Sequence, residues 1–344
     1  MSSRLYRLLP LLLVLLGCAR TPTREAALDA LVVQQVAPDL RALEGACRTL
    51  ETHAATLARA PSEATVEAAR GAWRAALIAW QRVHAFHEGP LDETRALVRA
   101  HFWPLRVPAL EVLVQSDRPV DDAHIAQLGV DVRGMFALEW LLFDARTAPA
   151  LHAHGPEGVR VRALVQALSR DVAQHAARAH GALGGAAFAT RFAEGGQESL
   201  SRLVNDLAAT VERLASERLA PVLEQHARKR LRASDVQGAR SGLSTEIVRT
   251  QLAAIEQLYT GAQPSLSTLA QAAAPGIDTR VRGRFSKVRG LVARLDAPLE
   301  QLVMRDRARV MEAFRAVKEL EVALKVDLAS ALGVTLTFTS ADGD

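Results

Sequence analysis

The sequence predicts an all-α protein built as two helical bundles. Its composition is rich in alanine, leucine, arginine and glutamate, which are strong helix formers, and poor in tyrosine, phenylalanine and isoleucine. No convincing period-two alternation occurs before the last few residues, so a sheet is not predicted. The two halves of the chain contain similar numbers of predicted helices. This balance indicates a duplicated arrangement of the four-helix-bundle type.

Caps and prolines set the helix boundaries of the first half. A first helix is predicted at 23–59, with a bend near Pro38. Ser62 is the predicted N-cap of a second helix, which ends at Gly89-Pro90. The remaining segments are a broken stretch at 92–116, a segment at 121–144 that holds the main motif, and a helix at 159–180.

Small residues separate the two halves. The stretch 181–196 is rich in glycine and is interpreted as a linker. It divides an N-terminal bundle at 19–183 from a C-terminal bundle at 197–344. The predicted helices of the second half are 197–231 with an interruption near Pro221, then 245–259, 266–274, 277–295 and a long helix at 298–332, followed by a short extended tail.

The first residues, 1–18, have the features of a lipoprotein signal peptide. A short basic region precedes an apolar run that is too short to span a bilayer, and Leu15-Leu16-Gly17-Cys18 is similar to a lipobox. Cys18 is therefore the predicted lipidation site, which makes the membrane a partner through the acyl chains. Ala19, rather than aspartate, favours the outer membrane, with the protein facing the periplasm. An uncleaved anchor or an ordinary secretory signal is the alternative.

Charge and cysteine content exclude two classes of protein. Removal of Arg4 and Arg7 with the leader lowers the formal net charge from +4 to +2, which is not the composition of a nucleic-acid-binding protein. The chain has only two cysteines, and lipidation of Cys18 leaves Cys47 alone. No disulfide framework is therefore predicted. Cys47 falls in a helical pattern and is interpreted as a small buried side chain rather than a reactive thiol.

The stretch Gly134-Met135-Phe136-Ala137-Leu138-Glu139-Trp140-Leu141-Leu142-Phe143 carries the strongest motif. It resembles the Gly-x-His-x-x-Glu-(Tyr/Trp)-Leu-Leu-Phe signature of the imelysin family, with Phe136 where that signature has histidine. Weaker blocks in the same order support the resemblance. They are Trp73 with Trp80, Trp103-Pro104, Ser241-Gly242, and the ending from Leu332 to Asp344.

The resemblance implies two helical bundles and an extracytoplasmic, iron-regulated protein linked to metal uptake or, as its alternative name has it, to metallopeptidases. It also implies metal ligands at the signature histidine and glutamate and at a glutamate of the tryptophan motif. Glu139 retains one of these positions, whereas Phe136 and His84 replace the other two.

A rebuilt metal site is one interpretation of these replacements. His84, His87 and Glu88 share a helix face by their spacing, so with Glu139 they are candidate ligands of a divalent metal, iron or zinc. The alternative is a buried hydrogen-bonded pair of His84 and Glu139 that joins two helices. His87-Glu88 does not form a zincin motif, because position 91 is leucine.

Three functions follow from the sequence as hypotheses. The first is a non-enzymatic envelope protein that binds metal, iron above all, for acquisition. The second is a metallopeptidase of the imelysin type, which the loss of the signature histidine to Phe136 disfavours. The third is a metal-free scaffold that binds another envelope protein through the cleft between the bundles.

Overall fold

The computed structural model describes residues 22–229, 231–232 and 235–336, and within these ranges every regular element is helical. The predicted all-α fold is therefore confirmed. The predicted leader at 1–18, the lipidation site Cys18 and the end of the predicted tail lie outside the described ranges. Within those ranges, no helix combines the length and the apolar character needed to cross a membrane.

The first half of the chain contains long helices separated by short ones. In chain order they are α1 (Arg24–Leu31), α2 (Ala37–Arg59), α3 (Glu63–Val83), α4 (Pro90–Glu93), α5 (Ala96–Ala100), α6 (Val107–Gln115), α7 (Asp122–Gln127), α8 (Gly134–Phe143), α9 (Pro156–Gly181) and α10 (Ala187–Glu194). A π-helical turn at Val32–Val36 joins α1 to α2 without a break.

The second half has the same character. Its helices are α11 (Gly196–Arg213), α12 (Ala220–Ala227), α13 (Ser244–Thr260), α14 (Leu266–Ala273), α15 (Pro275–Ala293), α16 (Leu299–Arg305), α17 (Arg307–Val322) and α18 (Ala329–Ala331). π-helical turns at Leu214–Leu219 and Ala323–Leu328 join α11 to α12 and α17 to α18.

The helices pack as two four-membered bundles. In the first bundle, α2 packs on α3 and α9, and α8 packs on α3 and α9. In the second bundle, α11 packs on α13 and α17, and α15 packs on the same two helices. Helix α3 contacts α13 across the junction, and buried apolar side chains form a continuous core through both bundles.

The N-terminal helix does not stay within the first bundle. Helix α1 packs on α10, α11 and α14, whereas α2, its direct continuation, packs on α3 and α9. The π-helical turn between them carries Gln34, whose amide exchanges hydrogen bonds of 3.1 and 3.0 Å with the backbone of Gln263. Gln35 donates to the carbonyl oxygen of Gln257 at 2.7 Å. The predicted bend near Pro38 thus corresponds to a π turn just before it. Through this turn, one continuous helix contacts both bundles.

Several predicted segments differ from the structure. The second helix ends at Val83 rather than at Gly89. The stretch 181–196 is not a bare linker, because α10 forms inside it and buries Phe188 and Phe192. The segment 121–144, which holds the main motif, contains two helices, α7 and α8. The long helix predicted at 298–332 breaks at Asp306, whose side chain accepts a hydrogen bond from the backbone nitrogen of Arg309 at 3.1 Å and caps α17.

Tryptophans hold the first bundle together. Trp73, Trp80 and Trp140 are almost fully buried and belong to the core, whereas Trp103 is only partly buried. Trp73 also donates from Nε1 to the carbonyl oxygen of Met135 at 2.8 Å, which links α3 to α8. Cys47 is buried beneath them, and burial raises the pKa of its thiol to about 12. It is therefore the inert small side chain that the sequence predicts.

A glycine begins the signature helix because no other residue fits there. Gly134 has a φ of +78°, and a Cβ atom at this position would lie 2.5 Å from the carbonyl oxygen of Ala100. The first residue of α8 thus presses directly against the end of α5. This contact fixes the position of α8, from which Phe136 and Glu139 project.

We expect Gly134→Ala to lower the free energy of unfolding by about 1–3 kcal/mol, because it adds backbone strain and a steric clash. Chemical denaturation measured by circular dichroism tests this. Gly71→Ala, in the middle of α3 where a Cβ meets nothing within 4 Å, is the control and should stabilise the protein by about 0.5–1 kcal/mol. Equal effects of the two substitutions would contradict the role given to Gly134.

Candidate functional site

Phe136 occupies the centre of the candidate site. Its side chain is completely buried, and its ring meets the rings of His101 and Trp103 edge to face, with centroids 5.0 and 5.1 Å apart. Both partners come from the segment between α5 and α6. The position at which the signature has an imidazole is therefore an aromatic packing position in this chain.

Glu139, one turn further along α8, is fully buried and holds a loop of the second half. Its Oε1 atom accepts hydrogen bonds from the backbone nitrogen of Ser241 at 3.0 Å and from the Ser241 hydroxyl at 2.8 Å. Its Oε2 atom is buried and has no hydrogen-bond partner among the described residues. Burial raises the pKa of Glu139, against a lowering by the Ser241 hydrogen bonds.

A second tether lies at the end of the same helix. Asp144 follows α8, and its Oδ2 atom accepts a hydrogen bond from Arg240 Nε at 2.8 Å, while Oδ1 accepts one from Arg146 Nε at 2.9 Å. Burial acts to raise the pKa of Asp144, but these hydrogen bonds lower it to about 2. The loop of residues 235–243 is therefore fixed to α8 at two neighbouring points.

His84 caps the end of α3 and faces other histidines rather than Glu139. Its ring centroid lies 4.9 Å from that of His87 and 5.3 Å from that of His101. Its Nδ1 atom is buried and has no partner among the described residues. Burial, then the nearby charges of His87 and His101, hold the pKa of His84 well below its usual range. The predicted hydrogen-bonded pair of His84 and Glu139 is therefore wrong, because each group lies in a different environment.

His101, which the sequence analysis missed, is the most constrained imidazole of the site. Gln251 of α13 donates to Gln81 Oε1 at 2.7 Å, and Gln81 Nε2 lies 2.9 Å from His101 Nε2. Burial, followed by the charge of Arg218, lowers the pKa of His101 to about 3. The ring is therefore neutral at pH 7 and accepts at Nε2. Its position just before the Trp103-Pro104 block was the available signal.

The predicted helix face shared by His84, His87 and Glu88 is wrong, because α3 ends at Val83 and His87 and Glu88 lie in the non-helical connection after it. His87 and Glu88 have their own charged partners. The Nδ1 atom of His87 lies 2.9 Å from Asp206 Oδ1 and 2.5 Å from Arg213 Nη2. Glu88 pairs with Arg202 at 3.3 Å. All three partners belong to α11: Asp206, Arg202 and Arg213. These contacts therefore join the connection between α3 and α4 to the second bundle.

His84, His87 and His101 line one wall of a cleft of about 480 Å³ between the two halves of the chain. Trp103 lies beside them, and the facing wall comes from the second half. That wall carries four residues which the sequence analysis did not select: Arg213, Glu217, Arg218 and Gln237. We call this space the inter-bundle cleft. Glu139 does not line it.

Comparison with known proteins identifies the family. Residues 36–324 match a peptidase-family model described as imelysin. The chain belongs to the imelysin family. The match confirms the resemblance seen in the signature and in the weaker blocks around it.

Similar proteins carry iron-related names. Iron-regulated protein A of Synechococcus elongatus is 30% identical over 148 residues, which is 40% of this chain. The chain covers only 39% of the length of that relative.

Two solved structures have the same fold as this imelysin-family chain. One is an iron-regulated protein A precursor from Parabacteroides distasonis, with a TM-score of 0.77 at 17% identity, and the other is an imelysin-like protein from Psychrobacter arcticum, with a TM-score of 0.76 at 16% identity. Each comparison covers 92% of this chain and 97% of the other. At these identities the likeness shows the fold alone.

The donor set does not match a complete metal centre. Among the described residues, no group of three or more His, Cys, Asp or Glu side chains is arranged to share a metal ion. Of the predicted ligand atoms, His84 Nδ1 and Glu139 Oε2 are buried and have no hydrogen-bond partner among the described residues. Phe136 occupies the position of the signature histidine. The described side chains therefore do not fit a metal centre by themselves. The iron or zinc site at His84, His87, Glu88 and Glu139 stays a prediction.

We expect Asp144→Ala to lower the free energy of unfolding at pH 7 by about 1.5–3 kcal/mol, because it removes charged hydrogen bonds that tether the loop. Glu111→Ala removes the other, more exposed partner of Arg146 and should cost at most about 1 kcal/mol. Because folding lowers the pKa of Asp144, its contribution is present above the unfolded value of about 4 and is lost as pH falls toward 2. Urea denaturation at pH 7 and pH 2.5 tests both points, and a pH-independent difference would contradict them.

Proposed function

We propose that this imelysin-family chain is a non-enzymatic binding protein that serves iron acquisition in the cell envelope. The observation that supports this proposal most is the inter-bundle cleft, whose polar walls come from both bundles. The cleft lies next to the signature helix, in which the buried Phe136 occupies the position of the signature histidine. The iron-related names of similar proteins point in the same direction.

Catalysis has less support than binding. A hydrolytic metal centre needs an open coordination position and a general base beside the metal. In this chain Phe136 packs against His101, and Glu139 is committed to Ser241, so neither side chain supplies that arrangement.

The proposal includes a location. The lipobox-like segment ending at Cys18 would tether the protein to the outer membrane, with the helical bundles in the periplasm. There it would exchange its ligand with another envelope protein. Labelling with a palmitate analogue, compared with Cys18→Ser, tests the tether, and equal labelling of the two proteins would count against it.

A growth test addresses the function itself. Cells lacking this protein should grow more slowly than wild type when iron is chelated, and equally well when iron is in excess. Metal content and calorimetry of the full chain, beside His84→Ala and Glu139→Ala, then identify the binding mode. Unchanged growth under iron limitation, together with no affinity for free or chelated iron, would overturn the proposal.

The scaffold hypothesis is the second candidate, and the burial of Glu139 against Ser241 favours it. It predicts that Glu139→Ala lowers the melting temperature by the same amount with and without metal. A larger loss in the presence of metal would instead assign Glu139 to a ligand set.

Phe136→His is the sharpest test of the altered signature. It returns an imidazole to the face of α8 that carries Glu139 three residues later, and the new ring would lie beside His101. We expect the affinity for zinc or ferrous ion to rise at least about tenfold over wild type, because the added imidazole would supply a further metal ligand. Phe143→His, seven residues later on the same helix, is the control and should leave the affinity unchanged. Equal affinities in all three proteins would show that position 136 does not limit metal binding.

A further inference from the structure

The facing wall of the inter-bundle cleft contains two arginines, one buried and one partly exposed, whose guanidinium groups are incompletely paired. Arg218 is only 6% exposed. One guanidinium nitrogen, Nη1, pairs with Glu217 at 3.1 Å, while Nε is buried and has no partner among the described residues. Arg213 pairs with Asp206 at 3.8 Å, while its Nε atom is buried and has no partner among the described residues. Buried guanidinium donors without acceptors are costly, and such costs are often offset by a ligand.

The π-helical turn explains why these two arginines meet. Arg213 ends α11 and Arg218 lies five residues later, within the turn at Leu214–Leu219. A regular α-helix would point residues five apart in different directions. In a π turn the hydrogen bonds run between residues five apart, so such residues come close to alignment. The turn therefore directs both guanidinium groups into one cleft.

Gln237 completes the arrangement. It is 5% exposed and lines the cleft, yet neither its amide nitrogen nor its amide oxygen has a partner among the described residues. Its position is fixed from behind, because the loop that carries it is bound to α8 through Ser241 and Arg240. A rigid amide whose atoms are both unpaired is the kind of group that orients a bound ligand.

The charges around the cleft favour an anion at its inner wall. Burial lowers the pKa of Arg213 and Arg218, but guanidinium groups remain protonated at neutral pH. The acidic groups of the cleft, Asp92 and Glu217, are exposed, and Arg95 lies exposed at the same rim. One largely buried carboxylate, Asp206, lies 3.8 Å from Arg213 and offsets its charge. Most of the positive charge at the inner wall is therefore that of Arg218, whose partner Glu217 is exposed.

We propose that the inter-bundle cleft binds a small oxyanion, a carboxylate or phosphate compound, between Arg213, Arg218 and Gln237. Planar guanidinium groups match the geometry of both anions. A volume of about 480 Å³ admits an organic polycarboxylate as well as an inorganic ion. The site stands on its own residues and goes beyond the proposed role in iron acquisition, because it requires no metal.

Calorimetry of the full chain in detergent tests the site with three probes: inorganic phosphate, citrate, and citrate loaded with ferric ion. We expect at least one probe to bind with a stoichiometry near one. Arg218→Met should weaken that binding by about tenfold or more, because a charged hydrogen bond is lost. Gln237→Leu, a neutral substitution of similar volume, should weaken it less. Arg191→Met, which removes an equal charge from the exposed face of α10, should have no effect.

The outcomes separate this proposal from the role in iron acquisition. Binding of free citrate or phosphate that Arg218→Met abolishes supports the oxyanion site, whatever the ferric probe does. Binding of the ferric complex alone, with the same dependence on Arg218, supports both proposals. Failure of all three probes, or equal binding by Arg218→Met and Arg191→Met, overturns the oxyanion site. If Arg218→Met does not fold, Gln237→Leu supplies the comparison, and wild-type affinity in that variant overturns the proposal.

Discussion

The attachment of the loop at residues 235–243 to helix α8 is the constraint on which the candidate site depends. Helix α8 is buried along almost its whole length, so its carboxylate at Glu139 must find donors inside the protein. Ser241 supplies them from the other half of the chain, and Arg240 adds a pair with Asp144. This loop also carries Gln237. The contacts that hold the buried carboxyl group of Glu139 therefore also position one wall of the inter-bundle cleft.

Irregular helical turns account for the remaining geometry. The π turn at Val32–Val36 lets one helix contact both bundles, and the π turn at Leu214–Leu219 brings two arginines to one cleft. Each turn stays within a continuous helix, so the bundles keep their packing while the side chains are redirected. The bundles thus provide rigidity, and the local departures from α-helical geometry provide the polar walls.

The sequence predicts the fold far better than the site. Ser62 caps α3 as predicted, because a cap residue acts within a few residues of the helix that it begins. Asp306 was a similar local signal, an aspartate that caps a helix, but the helical pattern on both sides of it hid the break. By contrast, Ser241 meets Glu139 from 102 positions away, and no local pattern encodes that contact.

The difference between local signals and distant contacts also explains why the surroundings of position 136 could not be predicted. A motif predicts which residue type belongs at 136, but not which neighbour fills the space when that type changes. Here Phe136 supplies the ring and His101, from the end of another helix, supplies an imidazole beside it. That imidazole is held neutral and hydrogen-bonded through Gln81 to Gln251, so it is engaged in joining the bundles rather than free to bind a cation. With the nearby arginines unpaired at Nε among the described residues, the side chains of this cleft suit an anion better than a bare metal ion.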